Sequence, residues 1–509
     1  MQGTRTVVAA FHTRNNSRFE TRMHRVTLRF LGLVRGRALC PVAEPHAAQA
    51  HPHSVFLLGG DMGWPDLGCY GHPFHETPVI DALASQGMKF SSFYATPVCS
   101  STRSTILSGQ YSARTGVTDF IPGHWRPFER LVVPKIDHHL KDGVQTPGDA
   151  LQAAGYATGH FGKWHMGNDR EHQPDRHGYQ VTERQLGKAF QRRKNSEKGP
   201  KRIDFLTDAA LWFIEQNQDT PFFLTVSHYA VHIPVEGNET TIAKYEKKPK
   251  PATGVNHPIY AAMVEDLDTS VGRILEQLDK LKLADTTIVI FASDNVGLQK
   301  TYTGVGQTVS TNIPLRDEKG TLYEGGIRVP LIVRWPGVVK PGTVSHEPTT
   351  TSDLLPTFCE MSGATLPTQP IDGTSMVSLL RDSEASLNRD AIYFHYPHYH
   401  HSTPAGAIRM GDWKLIEFFA DGKFELYNLA DDISEKQNQA SLRPELVAAL
   451  QKRLSNWRHK VGARMPTVNP QADVKRAAEW WSRRTNKPLD IEAMRKRYDS
   501  NRAKSAAKS

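Results

Sequence analysis

Four short runs of apolar residues constrain the fold of this chain more than any other feature of its sequence. They cover residues 55–58, 222–226, 287–292 and 329–333, and nearly every position in them is apolar. A strand with one solvated face alternates apolar and polar residues, whereas a strand buried on both faces is apolar throughout. The runs therefore predict an α/β sandwich, in which helices cover both faces of a mainly parallel sheet.

Helical and hairpin patterns lie between and after these runs. Residues 77–87 and 146–155 each begin with Thr-Pro and end in Gly, which is typical of a capped helix. Residues 260–281 carry apolar side chains at intervals of three and four, which predicts a long helix with one buried face. Residues 407–417 and 423–427 alternate around an Ala-Asp-Gly turn and predict a small antiparallel sheet, followed by a helix over 444–461.

Composition divides the chain of 509 residues into four parts. We expect an N-terminal extension over 1–50, a large domain over 51–380, a small C-terminal subdomain over 381–470 and a basic tail over 471–509. The net charge of +9 comes from the two ends, because residues 1–50 and 471–509 each carry a net charge of +6. We therefore expect no nucleic-acid partner, and no apolar run is long enough to predict a membrane span.

The N-terminal extension has some features of a secretory signal. It is rich in Arg, and Ala48, Gln49 and Ala50 resemble a cleavage site, but Arg35 and Arg37 interrupt its apolar stretch. The extension is interpreted as a degenerate signal segment, which favours a periplasmic or secreted protein over a cytoplasmic one.

The four cysteines are scattered along the chain, so neither a zinc site nor a disulfide framework is predicted. Cys99 stands out because it opens a predicted helix and lies four residues before Arg103. The residues alone leave open a buried thiol, a metal ligand and the precursor of a more reactive group.

Oxygen-bearing side chains follow two of the apolar runs. Asp61 comes soon after the first run, and Asp294 and Asn295 come soon after the third. Ligands of open α/β sheets bind beyond the carboxyl ends of the strands, where these side chains would meet. Carboxylate and amide oxygens suit Ca²⁺ or Mg²⁺ better than zinc. The alternative is that each Asp caps a helix.

Basic side chains follow the strands as well. Lys163 and His165 are two residues apart, so in an extended segment both would project to the same side. His232 follows the second apolar run, and Lys319 lies in a Gly-rich loop before the fourth. With the helix that begins at Cys99, these groups would form a pocket for a tetrahedral anion. The alternative is an ordinary solvated surface.

Five segments together resemble the type I, formylglycine-dependent sulfatases of the alkaline phosphatase superfamily, and in particular the arylsulfatases. They are GDMGWPDLGCYG, CSSTRSTILSGQYSARTG, GYATGHFGKWHMG, FASDNVG and KGTLYEGGIRVPLIVRWPG. The resemblance runs in order from about residue 53 to residue 470. It implies an alkaline-phosphatase-like sandwich with a large, mixed, mainly parallel sheet between helices, and a small C-terminal antiparallel sheet with a helix. Residues 51–380 would be the sulfatase catalytic domain.

The resemblance also implies the chemistry of Cys99. This residue stands where a separate maturation enzyme oxidises the sulfatase cysteine to formylglycine, whose hydrated aldehyde attacks the sulfur atom of a sulfate ester. Arg103 would then hold the diol. Lys163 and Lys319 would neutralise the sulfate oxygens, and His165 would assist deprotonation of the diol.

The remaining roles complete the implied site. His232 would protonate the leaving oxygen. Asp61, Asp294 and Asn295, together with the converted Cys99, would hold one Ca²⁺, with Mg²⁺ as an alternative. Two positions depart from the family pattern: Gly60 replaces the first of two adjacent aspartates, and Ser101 replaces the Pro or Ala of the maturation signature.

Aromatic and basic residues in two further segments favour a carbohydrate sulfate ester as the substrate. The candidates for the mouth of the pocket are His124, Trp125, Arg126, His395, His398, Tyr399, His400 and His401. The alternative is a packed aromatic cluster or an exposed His-rich loop. Two other functions stay open, a phosphodiester or phosphonate monoester hydrolase of the same superfamily and an impaired homologue that binds sulfated glycans without turnover.

Overall fold

The computed structural model describes residues 51–187, 190, 200–252, 254–299 and 308–485. The predicted N-terminal extension and its signal segment lie outside these residues, as does the tail beyond residue 485. The strands are β1 (His53–Gly59), β2 (Met88–Tyr94), β3 (Leu131–Val132), β4 (Ala157–Gly162), β5 (Val181–Thr182), β6 (Phe222–Ser227), β7 (Thr287–Ser293), β8 (Arg328–Arg334), β9 (Thr343–Ser345), β10 (Thr349–Thr350), β11 (Ile392–Tyr396), β12 (Ala405–Met410), β13 (Trp413–Phe418), β14 (Phe424–Asn428) and β15 (Thr467–Val468).

The helices connect these strands and cover the sheets. The α-helices span Pro78–Gln86, Cys99–Ser108, Ser112–Thr115, Pro147–Ala153, Ile203–Gln216, Glu239–Lys247, Pro258–Lys280, Glu324–Ile327, Leu354–Ser362, Val377–Arg381, Pro444–Val461 and Val474–Thr485. Short 3₁₀ segments span Trp64–Asp66, Gly68–Tyr70, Pro174–Arg176, Pro200–Arg202, Ala284–Thr286 and Thr351–Asp353. Within the described ranges, no helix has both the length and the apolar content needed to span a bilayer.

The main sheet places the four apolar runs side by side. Within the part of the chain that the structure describes, it has nine strands in the order β10-β2-β8-β7-β1-β6-β4-β5, with β9 also paired to β2. The runs form β8, β7, β1 and β6 at its centre, and only Arg334 among their residues is not fully buried. The mainly parallel α/β sandwich is therefore confirmed.

Strand β8 runs antiparallel to both of its neighbours, β2 and β7, whereas the other pairs in this sheet are parallel. The apolar run of β8 indicates a strand that is buried on both faces. A strand of either direction can be buried in this way, so the run does not predict that β8 is antiparallel.

The second sheet confirms the small antiparallel unit. Its order is β11-β12-β13-β14, and the helix Pro444–Val461 packs against it with Leu450, Leu454 and Trp457. The segment predicted as one alternating strand, residues 407–417, turns at Gly411 and forms β12 and β13 instead. Strand β11 was not predicted from the sequence.

Candidate active site

The helix Cys99–Ser108 is buried along its whole length, although most of its residues are polar. Its hydroxyl groups satisfy one another and the helix backbone: Ser104 Oγ donates to the carbonyl of Ser101 at 2.7 Å, and Thr105 Oγ1 donates to that of Thr102 at 2.7 Å. A polar helix can be buried when its polar groups are hydrogen-bonded in this way. Because the whole helix is buried, its first residue, Cys99, lies in the interior of the protein.

Parallel pairing brings the predicted metal ligands together. Gly59 at the end of β1 lies opposite Ser293 at the end of β7, so the residues that follow emerge side by side. The Asp61 N–H donates to Asp294 Oδ1 at 3.1 Å, and Asn295 Nδ2 donates to Asp61 Oδ1 at 2.7 Å. The three oxygen-bearing side chains thus share one buried point beyond the carboxyl end of the sheet, as predicted.

Three cationic side chains surround the two carboxylates. Arg103 donates to Asp294 Oδ2 from Nη2 at 2.7 Å and from Nε at 3.1 Å, and Lys163 Nζ lies 3.3 Å from the same oxygen. Lys319 Nζ lies 2.7 Å from each oxygen of Asp61. Three positive groups against two carboxylates leave these five side chains with one excess positive charge, which stabilises one further anion, either a thiolate at Cys99 or a bound anionic group.

Two histidines complete the site. The name site cluster is used below for its nine side chains, which are Asp61, Cys99, Arg103, Lys163, His165, His232, Asp294, Asn295 and Lys319. His165 Nδ1 lies 3.2 Å from Cys99 Sγ, and the other ring nitrogen of His165 bonds to the carbonyl of Ile121 at 2.9 Å. His232 Nε2 lies 3.6 Å from Asp61 Oδ2, and its Nδ1 bonds to the carbonyl of Ile233 at 2.6 Å.

The cations shift the pKa values of the acidic groups. Burial raises the pKa of the Cys99 thiol, but Lys163 and Lys319 outweigh burial and lower it to about 6. Burial also raises the pKa of Asp294, yet Lys163 and Arg103 hold it well below its ordinary value. Both carboxylates and a thiolate are therefore the stable forms at neutral pH.

One buried atom tests whether this site fits a hard divalent cation. Asn295 is completely buried, and its Oδ1 has no hydrogen-bond partner. Such an orphaned acceptor is costly unless a donor or a cation satisfies it. With the buried carboxylates of Asp61 and Asp294 beside it, the donor set is made of oxygen atoms only, which fits Ca²⁺ or Mg²⁺.

The structure gives a local reason for the glycine at position 60. A Cβ atom there would lie 3.3 Å from the carbonyl oxygen of His228 and 3.5 Å from that of Tyr229. The chain is also held at this point, because the Gly60 N–H donates to the carbonyl of Ala230 at 2.7 Å. A Cβ atom at position 60 would therefore lie close to these backbone oxygens, and glycine avoids that contact.

The structure brings all nine predicted catalytic and metal-binding residues into the site cluster. The reason given for one pair is wrong, however. The segment after β4 is not extended, because His165 has a positive φ of 59°. Lys163 and His165 reach the cluster from an irregular segment, one beside Asp294 and the other beside Cys99.

The predicted mouth residues separate into two groups. His395, His398 and Tyr399 are buried: they bond to the carbonyl of Arg464, to Thr118 Oγ1 and to the N–H of Leu131, respectively. These three do not line an open mouth, since their side chains are almost completely buried. His400 is buried beside Gly320, and His401 Nδ1 lies 3.2 Å from the Lys319 carbonyl oxygen.

The segment 124–126 does reach the surface. His124 Nδ1 lies 2.9 Å from Asp119 Oδ2, Arg126 pairs with Glu129, and Trp125 is 61% exposed. Trp125 is therefore the predicted mouth residue with a large, accessible aromatic surface.

Sequence reasoning missed several supporting residues. Ser227, at the end of β6, accepts from Arg103 Nη1 at 2.7 Å, and Ser100 Oγ accepts from the N–H of Ile121 at 3.1 Å. Asp119 is buried between His124 and Tyr396. Ser227 could have been found, because it directly follows the predicted strand 222–226; the other two carry no such signal.

Asp66, His72 and His75 form a separate group of potential metal donors. One donor atom from each lies within 4.8 Å of the others. The imidazole rings of His72 and His75, however, stack 3.4 Å apart with their planes at 12°. A metal binds an imidazole nitrogen in the ring plane at about 2.0–2.1 Å, so one ion cannot lie in both planes. We assign no metal to this group.

Comparison with known proteins decides the family. The family model described as Sulfatase matches residues 52–364, and the model described as N-sulphoglucosamine sulphohydrolase, C-terminal, matches residues 317–460. A sulfatase of Formosa agariphila is 31% identical over 84% of this chain and 92% of its own length. The chain belongs to the sulfatase family. Sulfatases are hydrolases that act on sulfuric ester bonds, so the predicted family and enzyme class are confirmed.

Further relatives of this sulfatase support both the family and the fold. Human N-acetylgalactosamine-6-sulfatase is 31% identical over 67% of this chain and 68% of its own length. The crystal structure of Ps i-CgsB in complex with k-i-k-neocarrahexaose has a TM-score of 0.68 and 25% identity, and covers 84% of this chain and 97% of that one. The alkaline-phosphatase-like sandwich is thus confirmed.

Proposed function

We propose that this sulfatase removes sulfate from a carbohydrate sulfate ester, with formylglycine made from Cys99 as its nucleophile and one Ca²⁺ in the site. The observation that carries the proposal is the site cluster itself. A nucleophile position, three cations, two histidines and an oxygen-only donor set surround one buried point.

Asp61, Asp294, Asn295 and the modified residue 99 would hold the ion. When bound, Ca²⁺ polarises the ester oxygens, and formylglycine in its hydrated form supplies the attacking hydroxyl group. The orphaned Asn295 Oδ1 supports the metal, and Cys99 at the position of the family's modified cysteine supports formylglycine.

The protein's own groups then stabilise and transfer charge. Lys163 and Lys319 lie beside the carboxylates, where their ammonium groups oppose the charge that builds on the sulfate oxygens. Arg103 fixes Asp294 and the Lys163 backbone at once, because it bonds to the carboxylate and to the Lys163 carbonyl oxygen. His165, 3.2 Å from Cys99 Sγ, is placed to accept a proton from the side chain of residue 99.

His232 is the candidate acid for the leaving oxygen. The backbone bond from its Nδ1 to Ile233 orients Nε2 toward the site cluster. Burial lowers the pKa of His232 to about 4 in the free protein. An anion bound beside the ring favours its protonated form, so the sulfate ester itself raises this pKa.

A carbohydrate substrate is supported by the names of relatives and by the accessible ring of Trp125. N-acetylgalactosamine-6-sulfatase names a sulfated sugar, and Ps i-CgsB was crystallised with a neocarrahexaose.

We further propose that the chain has a catalytic domain over 51–380, a subdomain over 381–470 and a basic tail over 471–509. We also propose that a separate enzyme matures Cys99 and that the protein is periplasmic or secreted.

Maturation must accommodate Ser101 in place of Pro or Ala. Ser101 Oγ donates to the carbonyl of Val98 at 2.8 Å and lies 2.5 Å from Thr96 Oγ1, so it ties down the segment that a maturation enzyme must bind. We expect Ser101→Ala to raise the converted fraction of Cys99. Mass spectrometry of residue 99 in both proteins, made with a maturation enzyme, measures it, and a lower fraction in the variant would contradict this expectation.

The function is tested with a panel of esters. It contains N-acetylgalactosamine 6-sulfate, a carrageenan-type hexasaccharide, 4-nitrophenyl sulfate, a phosphate diester and a phosphonate monoester. We expect sulfate release by the wild type and by the control variant Cys359→Ala, which removes a buried thiol in the helix Leu354–Ser362, and none by Cys99→Ala.

Other outcomes identify the alternatives. A preference for the diester or phosphonate would favour the related hydrolases. Binding of the hexasaccharide with no turnover, equal in the wild type and Cys99→Ala, would favour a glycan-binding homologue.

A further inference from the structure

The C-terminal segment 467–480, here called the arm, is bonded along its length to residues 121–132, here called the mouth loop. Val468 of β15 pairs antiparallel with Leu131 of β3. Asn469 Nδ2 donates to the carbonyls of Pro127 at 2.9 Å and Glu129 at 2.7 Å. Side-chain bonds to two carbonyls in one loop fix the shape of that loop, as well as its position.

The arm's helix adds aromatic contacts at the tip of the mouth loop. The ring of Trp480 meets that of Trp125 edge to face, with centroids 4.7 Å apart and planes at 87°. Trp480 Nε1 donates to the Trp125 carbonyl at 3.2 Å, and the Arg476 guanidinium lies 3.6 Å from the ring centroid of Phe128. Edge-to-face and cation–π contacts of this kind hold rings in one orientation.

The other end of the mouth loop begins at the catalytic centre. The Ile121 carbonyl bonds to His165 Nε2 at 2.9 Å, and its N–H donates to Ser100 Oγ, beside Cys99. Trp125 is four residues further on, so its Cα lies within about 14 Å of that of Ile121 even if the chain is fully extended. The bond of His124 to Asp119 anchors the loop between these two points.

Trp125 is therefore a large ring held near the mouth of the site with most of its surface in solvent. Exposed aromatic rings that the fold holds rigidly are common anchors for ligands, because little conformational entropy is lost on binding. The apolar face of a sugar ring fits such a surface. The rigid support comes from the arm, since Trp480 contacts both the ring and the backbone of Trp125.

We propose that the arm is a specificity element, in which Trp480 and Arg476 are positioning residues that hold Trp125 as a stacking platform for a sugar ring beyond the sulfated one. This inference rests on the proposed carbohydrate substrate. It adds a binding subsite for the rest of the glycan and assigns a function to the C-terminal arm.

The first test compares two substrates, the carrageenan-type hexasaccharide and 4-nitrophenyl sulfate. For Trp125→Ala and Trp480→Ala, we expect the ratio of the KM for the hexasaccharide to the KM for the aryl sulfate to rise about tenfold. Trp480→Phe keeps the ring contact, so we expect its KM ratio to stay close to that of the wild type. Lys475→Ala, an exposed change on the same helix, is the control and should leave the ratio as in the wild type.

A second measurement does not depend on activity. Hydrogen exchange of residues 121–132 should become faster in Trp480→Ala and Arg476→Ala than in Lys475→Ala. An unchanged KM ratio, or an equal loss on both substrates, would overturn the sugar platform. Unchanged exchange would overturn the positioning role. Absence of all sulfate release by the wild type, with faster exchange in the variants, would instead count against the proposed function.

Discussion

Replacing Gly60 with aspartate tests the proposed Ca²⁺ site, which has one carboxylate fewer than the family pattern. Gly60→Ala is the matched control, because it adds the Cβ atom without the charge. That atom would lie 3.3 Å from the carbonyl oxygen of His228 in both variants, so the cost of this contact cancels when the two are compared. Without calcium, we expect Gly60→Asp to be less stable than Gly60→Ala, since its carboxylate joins those of Asp61 and Asp294.

Calcium should shift this difference in favour of Gly60→Asp. If the added carboxylate tightens Ca²⁺ binding tenfold, the aspartate variant gains about 1.4 kcal/mol over the alanine variant at saturating calcium. Thermal unfolding in EDTA and across a calcium titration measures the change, and calorimetric titration gives the two dissociation constants. All proteins must come from one host, so that residue 99 is in the same state. Equal calcium affinities for Gly60→Asp and Gly60→Ala would refute this assignment of the metal site.

Three further predictions concern single side chains. His232→Asn should slow hydrolysis of sugar sulfates by about 10²- to 10⁴-fold but 4-nitrophenyl sulfate much less, because nitrophenolate leaves without a proton; equal losses would contradict the acid role. Burial raises the pKa of Asp66 from 3.8 to about 7, so its folded form favours the proton and stability falls as the pH rises between these values. Asp66→Asn should remove this loss, about 4 kcal/mol, from thermal or urea unfolding measured against pH, and an unchanged pH profile would contradict it. Lys414 is fully buried with Nζ 2.9 Å from both Glu324 and Glu435, so Lys414→Met should cost about 3–5 kcal/mol in urea unfolding, and a neutral result would contradict this ion network.

The central strands and the site cluster could be predicted because local sequence encodes them directly. Residues that follow buried parallel strands must meet at one edge of the sheet, and Asp61, Asp294 and His232 do lie together there, while their roles stay predictions. The helix Pro444–Val461 was predicted with its observed bounds, since a proline opens it and Gly462 ends it with a positive φ.

Other features depend on contacts between distant parts of the chain. The composition of the His-rich segment 395–401 is the same whether its rings bind sugars or pack inside the protein, and only the burial of His395 and His398 decides between the two. The left-handed backbone at His165 and the docking of the arm on the mouth loop likewise leave no periodic signal. Strand β11 was missed because its pairing with β12 lies across a loop of eight residues, 397–404.

The state of residue 99 in active protein tests the central claim most directly. Trypsin should release residues 90–103, between Lys89 and Arg103, and mass spectrometry of this peptide distinguishes the aldehyde or its hydrate from cysteine. Protein made with increasing amounts of a maturation enzyme should show sulfate release in proportion to the converted fraction. Full activity in a preparation whose residue 99 is entirely unmodified cysteine would contradict the account.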